Sequence, residues 1–195
     1  MEKIIELDQK LLVFLNSLGS ETFDFFWLFI TNQFNLTPVF IFIFYLLWKK
    51  VGWKQLGIII LFLAVIILIC DQTTNIFKYT FERLRPVNTP NIQDDLRILI
   101  TRKSFSFFSG HASNSMATTL FIFMILKKHY RYAFLVFLFP LIFAYSRIYL
   151  ALHFPADILT GYLFGATIGY IFYRLYLSFN KRMTKEKINN INVKS

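Results

Sequence analysis

One cysteine, Cys70, among 195 residues excludes an internal disulfide, and inside an apolar run this thiol reads as a small packing group. Acidic residues are scarce, 11 against 21 Lys and Arg, and no carboxylate cluster is spaced to cage Mg²⁺. No metal and no cofactor is therefore expected. Histidines number three, at positions 111, 129 and 153. The first residues lack a basic stretch followed by a clean apolar run, so no cleavable leader is expected and the spans themselves should direct insertion.

Against these absences stand 56% hydrophobic residues, 25 phenylalanines and a mean hydropathy of +0.51, values far from those of a soluble domain of this length. The expected fold class is all-α: a polytopic membrane helical bundle of about five transmembrane helices with an N-terminal amphipathic helix. The clearest spans are 56–77, 131–151 and 156–179. A fourth, about 107–126, opens with Ser109, Gly110 and His111, as a helix does when its first turn lies among headgroups. A fifth, about 25–48, contains Thr31, Asn32, Gln33, Asn35 and Pro38. It is either one kinked helix or a short interfacial helix followed by a tilted span. Ile4, Leu7, Leu11, Phe14, Leu15 and Leu18 recur at helical spacing with Glu6 and Lys10 elsewhere, the pattern of an anchor lying on the membrane. The chain divides accordingly into an amphipathic segment (1–24), a transmembrane domain (25–180) and a basic tail (181–195) expected on the cytoplasmic side.

With five spans, the loops 49–55 and 127–131 and the C-terminal tail share one face, which carries 12 of the 21 basic residues and a single acid, Glu186. The opposite face carries nine bases and ten acids, giving net charges of +11 and −1. Lys and Arg accumulate on the cytoplasmic side of short loops, so the basic face is expected to be cytoplasmic. The charges flank spans rather than forming a stripe on a polar domain, so no nucleic-acid partner is expected.

Six ionisable residues, Lys78, Arg85, His111, Arg147, His153 and Asp157, then fall at segment ends on the other, outward face. A bilayer tolerates charges where they are paired, wet or functional. Three cations can replace the water shell of a phosphate: arginine offers a planar fork to two oxygens and lysine a point charge. Arg83 is close enough to assist, or else contacts lipid headgroups. Ser109-Gly110-His111 ahead of an apolar helix supplies a capping hydroxyl, close backbone approach and free N–H groups at a positive dipole end. Pro155 should open a helix with Asp157 inside its first turn, so that the carboxylate can orient the His153 ring as a nucleophile while His111 protonates the departing oxygen. His129, in the basic loop, is excluded from this site.

These residues resemble the type 2 phosphatidic acid phosphatase superfamily, which also includes vanadium haloperoxidases and glucose-6-phosphatase. Its signature is Lys-x6-Arg-Pro, Pro-Ser-Gly-His and Ser-Arg-x5-His-x3-Asp. The chain matches with Lys78 to Pro86, with Ser109-Gly110-His111, and with Ser146, Arg147, His153 and Asp157; the resemblance covers about residues 55–178. Phe108 stands in place of the motif proline. The resemblance implies a membrane lipid phosphatase in which His153 forms a phosphohistidine, Asp157 orients it and His111 protonates the leaving group. Lys78, Arg85, Arg147, Ser109 and Gly110 would hold the phosphoryl oxygens without a metal.

The expected partners are a lipid phosphate substrate and membrane lipids, and the expected location is the cytoplasmic (inner) membrane with the site on the outer face. An outward site favours undecaprenyl diphosphate as substrate, with phosphatidylglycerol phosphate or phosphatidic acid next. A lipid A phosphatase or a lipid phosphotransferase would use the same residues. Outside this class, a non-catalytic lipid-binding or transport bundle would also use intramembrane polar groups, and the apolar spans argue against a haloperoxidase of the soluble type. Asp71, Asn75 and Lys78 share a helix face, so Asp71 either fixes Lys78 or makes an interhelical contact. The polar stretch 87–104 either covers the pocket or rests its Ile98–Ile100 segment on the interface.

Overall fold

The computed structural model describes residues 2–192, with side chains as far as Met183. Met1 and residues 193–195, the end of the basic tail with Lys194, lie outside the described residues, as do the side chains of 184–192. Every regular element among the described residues is helical. The first, α1 (Glu2–Ser17), is amphipathic, but its two faces are unequal in kind. Ile4, Leu7, Leu11, Phe14 and Leu18 are exposed, while a stripe of Asp8, Leu12 and Asn16, each one turn from the last, is buried against the rest of the molecule. An apolar face turned outward and a polar one turned inward suit a helix bathed in lipid on one side.

The region from 25 to 48 takes the second of its two readings. Helix α2 (Glu21–Thr31) ends at Asn32, whose side chain accepts the Phe34 N–H (3.2 Å) and caps a 3₁₀ turn at Gln33–Leu36. Helix α3 (Thr37–Phe81) then starts with Pro38 in its first turn, where a missing N–H costs nothing. Its 45 residues are not one rod. Gly52 adopts φ 76° and ψ 172°, outside helical space, and divides it into two arms with Trp48 and Trp53 meeting across the break at 5.1 Å. Helices α4 (Gly110–Leu126), α5 (Leu138–Tyr149, preceded by a 3₁₀ turn at Ala133–Phe137) and α6 (Pro155–Asn192) complete the bundle.

Contacts fix which ends coincide. Tyr130 donates to the Leu46 carbonyl (3.2 Å), Lys50 lies over the Tyr130 ring (5.4 Å) and Tyr176 bonds Gln55 (3.2 Å). The segments 49–55 and 127–131 and the middle of α6 therefore share one level, as the charge count anticipates, and His129 lies there. Both outer ends of α3 return to the opposite level, beside the C-terminus of α5 and the N-termini of α4 and α6. Between the levels, Leu47, Ile59, Ile66, Ala117, Phe121 and Leu126 are buried in one apolar core. By length and apolarity, one helical stretch among the described residues, 33–88, suffices to cross a membrane, and the other helices expected as spans do not meet that measure. Two of the later helices are short, α4 with 17 residues beginning at Gly110, His111, Ser113 and Asn114, and α5 with 12, whereas α6 is long but its apolar run is diluted by Gly161, Gly165, Gly169 and several tyrosines.

The α4–α6 pair is the closest contact in the bundle, and glycine makes it possible. Gly161, Gly165 and Gly169 form a stripe at four-residue spacing on α6, and a Cβ at Gly161 would lie 2.7 Å from the Ser109 carbonyl. Gly165 and Gly169 face the Ser113 and Ala117 backbone still more tightly. Small residues at this spacing let two backbones touch where no hydrophobic force separates helix from lipid. Gly165→Ala is expected to destabilise the protein by about 1–3 kcal/mol through overpacking. Gly57→Ala, which meets open space, should be neutral or stabilising. Thermal unfolding in detergent distinguishes them, and equal midpoints would contradict the packing account.

Candidate active site

Arg147 and His153 are brought together by the way α5 ends. Ala151 takes the left-handed conformation (φ 50°), its N–H bonds the Ile148 carbonyl (2.9 Å) and the Leu152 N–H reaches back to the Arg147 carbonyl (2.9 Å), the pattern of a Schellman cap. The His153 N–H also approaches that carbonyl, at 3.4 Å. A hairpin this tight leaves His153 no freedom to move away from Arg147. Pro155 opens α6 as expected, with Asp157 in its first turn. The Ser109 N–H donates to the Asp157 carbonyl (3.0 Å), and the Ser109 hydroxyl accepts the Ala112 N–H (3.3 Å) as the N-cap of α4. The N-termini of α4 and α6 are thereby fastened together, with Gly110 against Thr74 of α3.

Arg85 is buried in the loop after α3. Its Nε and Nη2 donate to the carbonyl and hydroxyl of Ser104 (2.8 and 3.0 Å), and its Nη1 donates to the Leu152 carbonyl (2.6 Å) and approaches His153 Nε2 at 3.2 Å. Burial, with the nearby Arg102 charge, lowers its pKa to about 10 against the pull of Asp157, so it stays charged at neutrality. A guanidinium only donates, so His153 Nε2 is the bare nitrogen and the proton of the neutral ring sits on Nδ1. Nδ1 lies 3.5 Å from Asp157 Oδ2, outside hydrogen-bond geometry. Contacts of this kind commonly tighten when a substrate binds. Burial first, then the charges of Arg85, Arg147 and Lys78, push His153 well below the ordinary imidazole value. The ring is therefore uncharged near neutrality, the form a nucleophile requires.

Arg147 is buried; its Nη1 donates to the Thr31 hydroxyl at the end of α2, and its Nε has no hydrogen-bond partner. An unpartnered buried guanidinium N–H is costly unless a ligand completes it. Lys78, in the last turn of α3, makes no hydrogen bond or ion pair and lies within electrostatic reach of Arg85 and Arg147. His111 packs its ring on Phe143 (5.4 Å) within reach of Arg147, His153, Lys78 and Arg85. All eight residues singled out in the sequence thus converge on one end of the bundle. Three cations, two imidazoles and helix N-termini gathered at one end of the bundle are groups able to receive a phosphoryl group.

Other expectations resolve differently. Asp71 accepts a hydrogen bond from Asn114 (2.6 Å), so it ties α3 to α4, the interhelical alternative. Arg83 bridges Asp157 Oδ1 and Asp8 Oδ2, both at 2.7 Å, and stacks on Phe154 (4.0 Å). Phe108, in place of the motif proline, is buried between Phe77 and Phe164 (5.2 Å each). In the stretch 87–104, Ser104 holds Arg85, and Ile98–Arg102 line a separate cavity of about 470 Å³. Among the described residues no group of three His, Cys, Asp or Glu side chains is placed to hold a metal. Sequence reasoning missed Asp8, Thr31 and Ser104. Only Asp8 carried a signal, the Asp8-Leu12-Asn16 stripe opposite the apolar face of α1.

The model of the PAP2 superfamily matches residues 55–181. A lipid A 4'-phosphatase of Bacteroides thetaiotaomicron is 32% identical over 177 residues, 89% of this chain and 78% of that protein. One of Porphyromonas gingivalis is 31% identical over 181 residues, 91% and 76% of the two chains. Two crystal structures share the fold. The first transmembrane PAP2 type phosphatidylglycerolphosphate phosphatase from Bacillus subtilis has TM-score 0.67 and 20% identity, covering 93% of this chain and 88% of that one. Aquifex aeolicus LpxE has TM-score 0.64 and 24% identity, covering 85% and 93%. Lys78-x6-Arg85-Pro86, Ser109-Gly110-His111 and Arg147-x5-His153-x3-Asp157 all lie inside the matched region, on helix ends that the fold gathers at one level. The chain therefore belongs to the PAP2 superfamily of membrane phosphatases and is a hydrolase of phosphoester groups.

Proposed function

We propose that this phosphatase removes a phosphate from a membrane glycolipid of the lipid A type, through a phosphohistidine on His153. The observation that carries the mechanism is the bare Nε2 of His153, held by Arg85 at 3.2 Å beside the unpartnered Arg147 Nε. A phosphate entering between them takes over the Arg85 and Arg147 N–H groups and frees Nε2 to attack. The N–P bond forms as the P–O bond to the lipid breaks, and His111 donates a proton to the departing oxygen. Asp157 steadies the Nδ1 proton. Lys78, Arg85, Arg147, the Ser109 hydroxyl and the Gly110 N–H share the developing charge, which is what a metal ion would otherwise do. Water, activated by His111, then cleaves the N–P bond, releasing phosphate and restoring the bare Nε2.

The arms of α3, with α4, α5 and α6, each cross the cytoplasmic membrane in this reading, giving a transmembrane domain of 25–180. Residues 1–24 lie on the outer surface and the basic 181–195 tail lies in the cytoplasm. The substrate assignment draws on the lipid A 4'-phosphatases, whose identity extends over about nine-tenths of this chain. The test is a panel of lipid A, undecaprenyl diphosphate, phosphatidylglycerol phosphate and phosphatidic acid in mixed micelles. Lipid A should lead in kcat/KM by about tenfold or more. A higher value for undecaprenyl diphosphate would return the assignment to the substrate that an outward site alone favours. Appearance of the phosphate on a second lipid, instead of free phosphate, would make the chain a phosphotransferase.

A further inference from the structure

Helix α1 does more than rest on a surface. Asp8 is 8% exposed, and both of its oxygens are used: Oδ2 accepts from Arg83 Nη2 (2.7 Å) and Oδ1 from the Ala156 N–H (2.9 Å). The second bond supplies an anion to the N-terminus of α6, where a backbone N–H has no partner within the helix. Arg83 passes the connection on through Nη1 to Asp157 Oδ1 (2.7 Å), while Phe154 lies under its guanidinium plane. With Oδ1 so occupied, and Oδ2 accepting the Phe154 N–H (3.0 Å), the Asp157 carboxylate has one rotational setting, the one that turns Oδ2 toward His153. One turn and two turns further along α1, the stripe continues. Leu12 is buried with Ala112, Ile148 and Phe154, and Asn16 donates to the Tyr149 carbonyl (2.7 Å) and accepts the Arg97 N–H (2.8 Å). The same helix therefore grips the end of α5, the start of α6 and the loop between α3 and α4.

We infer that Asp8 and Arg83 are positioning residues for this phosphatase: Asp8, on the lipid-facing helix α1, sets Arg83, and Arg83 sets the Asp157 carboxylate that orients the His153 ring. Two alternatives for Arg83 fit less well. A headgroup or phosphate contact would have to compete with two carboxylates that already hold its two terminal nitrogens at 2.7 Å. A plain stabilising ion pair does not need a second carboxylate bonded to the first turn of the helix that carries Asp157. Because Asp8 and Arg83 act through Asp157, they shape turnover rather than phosphate affinity. A site that is competent only while α1 is docked ties turnover to the seat of that helix, whose other face is apolar.

The inference rests on His153 as the nucleophile, so the experiment includes His153→Ala on its own. Phosphate release by full-length protein in dodecylmaltoside is compared for wild type, Asp8→Asn, Asp157→Asn and the double variant. Asp8→Asn should lower kcat about tenfold with KM within twofold. In the Asp157→Asn background it should cause no further loss, because the group it positions is already absent. Asp8→Glu should recover part of the rate. Wild-type kcat in Asp8→Asn, or an equal loss in both backgrounds, would overturn the inference, the latter showing a general structural role. If Asp8→Asn does not fold, Arg83→Lys carries the same comparison, since an ammonium cannot span two carboxylates as the fork does. Wild-type activity in His153→Ala would instead remove the underlying mechanism.

Discussion

His153→Ala is expected to lower phosphate release by at least about 10⁴-fold, the scale on which removing a nucleophile acts. The expectation follows from how completely the ring is specified. It is 1% exposed, its backbone is tied to Arg147 by the α5 cap, and Arg85 leaves its Nε2 unprotonated. Its Nε2 faces a guanidinium donor, and the Asp157 carboxylate lies 3.5 Å from its second nitrogen. His111 lies at the start of α4 with its ring against Phe143, and in the proposed reaction it delivers the proton. His129→Ala is the internal control, because its segment belongs with Tyr130 and Leu46 at the far end of the bundle. It should change the rate by less than twofold. A His153→Ala enzyme within tenfold of wild type, assayed as free phosphate released from lipid, would remove the covalent mechanism.

Arg147→Lys is expected to cost about 10² to 10³ in kcat, the range for losing a donor aimed at developing charge. The substitution keeps the positive charge, so its effect isolates geometry. Arg147 spreads its donors: Nη1 is spent on Thr31, and Nε remains buried and unpartnered, directed by the rigid end of α5. An ammonium gathers its donors on one atom, so it cannot reproduce the separate directions in which Arg147 Nη1 and Nε point. Arg131→Lys, in the loop at the far end, should leave kinetics unchanged. Steady-state rates for the two variants give the comparison, and an Arg147→Lys loss below threefold would show that charge alone suffices.

Much of the site was legible because its chemistry is local. Spacings such as Lys78-x6-Arg85-Pro86 and His153-x3-Asp157 are set by one helix end each, and a helix end is what a sequence marks most clearly, with Ser109 as cap and Pro155 as first residue. Charge counting put His129 at one end and the other two histidines at the opposite one. Less legible were the features that depend on which helices touch. Arg83 could not be matched to Asp157, 74 residues away, or to Asp8, 75 residues away, without knowing that α1 lies across the start of α6. Thr31 looked like a kink residue because its partner is 116 positions distant. The Gly161-Gly165-Gly169 stripe takes on meaning only when the α4 backbone lies against it. The five-span count met two helices, α4 and α5, that are shorter than the spans read from hydropathy. The reversal at Gly52 folds two arms into what the sequence divided into 25–48 and 56–77.

The central claim is that the phosphoryl group passes through a covalent bond to His153. The most direct measurement is rapid quenching into alkali, where an N–P bond of this type survives, followed by mass spectrometry of the digested protein. Phosphate on the peptide carrying His153 in wild type, and its absence from His153→Ala, is the predicted result. Turnover without any phosphorylated peptide, or with the phosphate on His111, would contradict the account.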